Sequence, residues 1–168
     1  MQRRTLLKVG VATGAVLAIA GGTLALMSPG RRDAVLTEPA RAMFTAVAAA
    51  VLSDLLPSDP VARTRANEEH LSRLQDTIAG MPPYVQAELD ELITILSSAP
   101  GRLGLVSLRA SWQAASLNEV TAALQDMRSS RLALRQQAFH ALRDLCNASY
   151  LAGPSTWPSI GYPGPRAV

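Results

Sequence analysis

Eleven prolines and eleven glycines cut this 168-residue chain into apolar-periodic stretches, and that punctuation constrains the fold most. Met43, Val47, Val51 and Leu55 recur every fourth residue, with Phe44 and Leu52 widening the stripe. This is the spacing of one helix face. Thr37-Glu38-Pro39 places a capping-type residue before a first-turn proline. Pro57 ends the run, and "LLPSDP" turns the chain. A second helix carries Leu71, Leu74 and Ile78 and stops at Gly80. Pro82 and Pro83 open a third, with Val85, Leu89, Leu92, Ile93 and Leu96 on one face, closed by "SSAPG" at 97–101.

Residues 102–115 are ambiguous and read as a short helix carrying Trp112. Ser116-Leu117-Asn118-Glu119 is a capping box, in which the serine and glutamate side chains satisfy each other's backbone N–H groups. It starts a helix with Val120, Leu124 and Met127. A last helix spans about 130–150, with Leu132, Phe139, Leu142, Leu145 and Cys146 inward, and Gly153-Pro154 stops it. No stretch alternates as a strand does. The expected fold is all-α, an irregular bundle of about five helices over 38–152. A leader at 1–30 and a linker at 31–37 precede it, and an extended tail at 153–168 follows.

Motifs that carry chemistry are missing. There is no GxSxG elbow, no GxGxxG after a strand and no phosphate-binding GxxxxGK[ST]. Cys146 is the only cysteine, so no intrachain disulfide or CxxC pair can form, and it reads as a small buried hydrophobe. Glu68-Glu69-His70 is the best metal-ligand cluster, yet adjacent residues on a helix do not face one another. His140 reads as a surface or boundary residue. No catalytic, cofactor-binding or metal-binding residue is assigned to this chain.

The net charge of +3 resides in the leader. Without Arg3, Arg4 and Lys8, 13 basic residues face 13 acidic ones, with no basic run to track a nucleic-acid backbone. Arg3, Arg4 and Lys8 precede an apolar run, 9–27, which Ser28-Pro29-Gly30 ends. That is the anatomy of an export signal. Arg3-Arg4-Thr5-Leu6-Leu7-Lys8 resembles the twin-arginine motif, with Leu6 where phenylalanine is commoner. Glycines keep the run weakly apolar, which suits a route that exports folded cargo. Its 19 residues also nearly match the ~20 that span a bilayer, so cleaved signal and uncleaved membrane anchor both stand. Either places the chain in the periplasm.

The tail, "GPSTWPSIGYPGP", holds four prolines and three glycines around Trp157 and Tyr162. Disordered tails are poor in aromatics. Prolines lower the entropy cost of ordering a segment, so the tail reads as an extended strap seating Trp157 and Tyr162 on a surface. That surface is either this chain's own helices or a partner.

Residues 142–165, "LRDLCNASYLAGPSTWPSIGYPGP", resemble the C-terminal signature of the gluconate 2-dehydrogenase subunit 3 family. Tyr150, Pro154, Trp157, Gly161, Tyr162, Pro163, Gly164 and Pro165 carry the match. "AAAVLSDLLPSDP", 48–60, is similar to the family's first helix, and the leader fits as well. The resemblance implies a non-catalytic small subunit that helps mature a large flavoprotein dehydrogenase of the glucose-methanol-choline oxidoreductase type. It implies escort of that partner through the twin-arginine translocon. FAD would belong to the partner and haem c to a multihaem cytochrome third subunit. Tyr150, Trp157, Tyr162, Pro163 and Pro165 are the implied partner-binding candidates. The alternative is a stand-alone periplasmic or membrane-tethered helical scaffold.

Overall fold

The computed structural model describes residues 29–164. The leader motif at Arg3, Arg4, Leu6, Leu7 and Lys8, and Pro165 in the tail, lie outside them. Five helices of 13 to 20 residues dominate: α1 (Glu38–Val51), α2 (Pro60–Ala79), α3 (Pro83–Ser97), α4 (Leu117–Ser129) and α5 (Ala133–Leu151). The described chain is thus all-α apart from one small hairpin. Helix α1 is the hub and packs against each of the other four. Ala40, Met43, Phe44, Val47 and Ala48 are its fully buried side chains. The alanines let neighbouring backbones approach, and Phe44 and Met43 fill the space between them.

Residues 31–37, expected as a linker, are folded. Strands β1 (Arg31–Arg32) and β2 (Val35–Leu36) pair antiparallel, Arg31 opposite Leu36. Asp33 and Ala34 have φ of 51° and 66°, the double positive φ of a type I′ hairpin turn. Two residues per strand are too few to show alternation, so the sequence hides this element. Side chains from distant helices hold it. Arg31 Nη1 donates to Asp90 Oδ1 of α3 at 2.7 Å, and the Leu36 N–H donates to Gln75 Oε1 of α2 at 2.8 Å. The Gly30 N–H donates to Thr94 Oγ1 at 2.8 Å, and a Cβ on Gly30 would lie 2.5 Å from Ile93 Cγ2, so only glycine fits.

Two helix ends differ from expectation. Thr37 sits at the N-cap of α1 but makes no capping bond there. Its hydroxyl and its N–H both donate to the Gly30 carbonyl, each at 3.0 Å, because the hairpin brings that acceptor closer. Helix α1 also stops at Val51, so Leu55 lies outside it. The Leu55 and Leu56 N–H groups both fold onto the Leu52 carbonyl, at 2.9 and 3.0 Å. Proline disfavours helix at the residue before it, and the chain tightens into a turn ahead of Pro57. At the other end of the domain, Leu132 was expected inward but precedes α5 and is exposed.

The ambiguous stretch is not one helix. Ser98 breaks α3, a single turn follows at Ala99–Gly101, and Arg102–Val106 forms a π-helical segment. Trp112 sits apart in a later turn, buried, and its indole N–H donates to the Leu96 carbonyl at 2.9 Å. It thereby satisfies one of the orphan carbonyls at the end of α3. The capping box at Ser116 and Glu119 forms as read, and it holds the Glu119 carboxyl below its ordinary range.

Candidate interaction surface at the C-terminal tail

The tail is helical where it was expected to be extended. After Leu151 the chain passes Gly153 and winds into a 3₁₀-helix, Pro154–Ile160. Pro154 occupies a first-turn position, where no N–H is needed. Hydroxyls supplement the sparse backbone ladder. Thr156 Oγ1 donates toward the Tyr150 and Gly153 carbonyls at 3.1 and 2.8 Å, and Ser159 Oγ donates to the Thr156 carbonyl at 2.6 Å. Such helices rarely exceed three or four residues, and these bonds account for the seven here. Prolines and glycines exclude a long α-helix, not this tighter one.

Trp157 organises the tail. Its indole N–H donates to the Leu151 carbonyl at 2.9 Å, capping the end of α5. Tyr162 stands edge-on to it, ring centroids 5.2 Å apart at 70°, and the Tyr162 N–H donates to the Trp157 carbonyl at 3.0 Å. Gly161 and Gly164 take φ of 71° and 93°, and these left-handed positions fold the chain back over the indole. A Cβ on Gly164 would lie 3.3 Å from the Trp157 ring. Trp157 is therefore half-buried against its own chain, while Ile160 and Tyr162 remain 47% and 45% exposed beside exposed Pro158 and Pro163. The two alternatives for the strap divide between residues: Trp157 packs inward, and Ile160, Tyr162 and Pro163 face out.

Tyr150 belongs to the core. It is buried on α5, and its hydroxyl donates to the Leu55 carbonyl at 3.0 Å, tying α5 to the turn after α1. Burial raises its phenol above the ordinary range, Arg73 opposes that, and Glu69 adds to it. Arg73 of α2 reaches across the same seam, its Nε donating to the Ser149 carbonyl at 3.0 Å. Behind this seam lies His70, fully buried, with neither ring nitrogen hydrogen-bonded. The Tyr150 ring meets it edge-on at 6.0 Å. Burial foremost, with Arg73 second, pushes His70 down to about 4 against a weaker upward pull from the Cys146 backbone. Cys146 is also buried, and burial pushes its thiol up to about 12, so it is an inert thiol at neutral pH.

The Glu68-Glu69-His70 cluster comes apart in space. Glu68 Oε2 pairs with Arg41 of α1 at 2.5 Å. Glu69 pairs with Arg65 at 2.9 Å and lies 3.6 Å from Arg73, and the Arg65 bond foremost lowers its carboxyl. His70 points instead into the core. Its burial was missed, although its i+4 spacing to Leu74 places it on the apolar stripe. His140 is exposed, as expected. An open groove of about 400 Å³ lies between α1, α2 and the turn at Trp112, Gln113 and Ala115, over Ala42, Ala46, Ala49 and Leu71. Of its charged lining residues, Arg41 and Glu68 pair with each other, and Glu38 is the third. Among the described residues no helix is long and apolar enough to cross a membrane. No protein-family model, curated protein or solved structure matches the chain.

Proposed function

We propose that this chain is a non-catalytic small subunit that binds, helps mature and escorts an FAD-dependent dehydrogenase through twin-arginine export. The partner would be of the glucose-methanol-choline oxidoreductase type, acting on a sugar or sugar acid. A multihaem cytochrome c would be its further associate. The destination is the periplasm, with the leader as a membrane anchor if it stays uncleaved. The observation that carries the proposal is the tail. A short segment of this chain spends a tryptophan, seven residues of 3₁₀-helix and two left-handed glycines to hold Ile160, Tyr162 and Pro163 outward in fixed positions. A pre-ordered aromatic edge loses little entropy on docking. The leader supplies the export half of the reading, and the resemblance at 142–165 supplies the partner's class.

The test separates the outward residues from the inward one. Tyr162→Ala should weaken co-purification with the flavoprotein roughly tenfold, as for a moderate interface hot spot. The subunit's own thermal midpoint should stay within a few degrees. Full-strength assembly by Tyr162→Ala would remove the tail from the interface. Failure of the wild-type chain to co-purify with any flavoprotein would favour the stand-alone scaffold, for which the same fold serves without a partner.

A further inference from the structure

We propose that His70 makes the α2–α5 seam acid-labile, so that protonating its buried ring opens the seam and unseats the C-terminal tail. A fully buried imidazole with two unpartnered nitrogens is tolerable only while neutral. An imidazolium there has only the Cys146 backbone to favour it, a weaker influence than the burial that opposes it. Among the described residues, the surroundings offer no compensating anion. On α2, Arg73 is one turn on and cationic, while the Glu69 carboxylate is engaged by Arg65 and Arg73 at the surface. On α5 the titratable neighbours are the Cys146 thiol and the Tyr150 phenol, both held neutral by burial. Helix α1, packed on both, buries only Ala40, Met43, Phe44, Val47 and Ala48. The described tail, 153–164, carries no charge.

The same seam seats the tail. Tyr150 offers its carbonyl to Thr156, Leu151 offers its carbonyl to Trp157, and Arg73 grips the Ser149 carbonyl while its guanidinium lies against Gly153. Moving α5 away from α2 to relieve an imidazolium at His70 breaks these contacts together. The sign follows from linkage. The folded-state value, about 4, lies below the unfolded value of 6.5, so the opened state binds the proton more tightly. Stability from this group is complete above pH 6.5 and is lost as pH falls toward 4.

The full chain should show this in urea unfolding at a series of pH values. The folded-to-unfolded ratio should fall by up to about tenfold per pH unit between 6.5 and 4, roughly 80-fold across that window, beyond the change in His70→Gln. Amide exchange at Tyr162 and along α5 should accelerate together over that range in the wild type. If His70→Gln folds poorly, the wild-type ring signal of His70 decides alone. It should stay in its neutral form until the amides of α5 open. A His70 signal that titrates while α5 and the tail stay protected overturns the proposal. So does parallel acid loss in wild type and His70→Gln.

Discussion

Phe44→Ala is expected to destabilise the domain by about 3–5 kcal/mol, the range for truncating a fully buried phenylalanine. Phe44 has no exposed surface and lies on α1, the helix that touches all the others. A cavity there cannot be closed by moving one neighbour, because four helices pack against α1. Whole-domain stabilities are about 5–15 kcal/mol, so the variant should be largely unfolded at moderate urea. Tyr84→Ala is the control. Tyr84 is 69% exposed on α3 and should shift stability by no more than about 0.5 kcal/mol. A cost below about 1 kcal/mol for Phe44→Ala would contradict the placement of α1 at the centre.

The second large effect concerns export. Arg3→Lys combined with Arg4→Lys keeps both charges but removes the paired guanidinium groups, whose planar forks ammonium cannot reproduce. The proposed reading requires this double variant to leave the chain and its flavoprotein partner in the cytoplasm, with folding unaffected. Periplasmic dehydrogenase activity should be lost. Cell fractionation with activity staining measures it. Normal periplasmic levels of either subunit would remove the twin-arginine assignment.

What the sequence disclosed was local, and what it hid was tertiary. The Ser116–Glu119 box and the stop of α2 at Gly80 each depend on residues within a turn of one another, and both are found as read. Thr37 carried the same kind of signal but gave its hydroxyl to Gly30, an acceptor that only the hairpin brings into reach. Leu55 kept the four-residue period after the helix had ended, since packing in a turn can serve the same stripe. Leu132 kept an apolar identity without a buried position. The tail's aromatics were legible as ordered, but their division was not. The bond from the Trp157 indole to the end of α5 depends on a 3₁₀ winding that Pro and Gly do not announce. The spacing of His70 to Leu74 matches the apolar face, but in the sequence it draws notice only with its two neighbouring glutamates, as a metal cluster that is not assigned.

The proposed role of this chain is to bind and carry a flavoprotein. Affinity capture of the full-length tagged chain from its native host, followed by a visible absorption spectrum and mass spectrometry of the eluate, tests it most directly. The expected eluate shows a flavin spectrum and a large dehydrogenase subunit at near one-to-one stoichiometry, with dye-linked sugar oxidation in the complex and none in the chain alone. A colourless eluate, with the dehydrogenase exported normally when this chain is deleted, would contradict it.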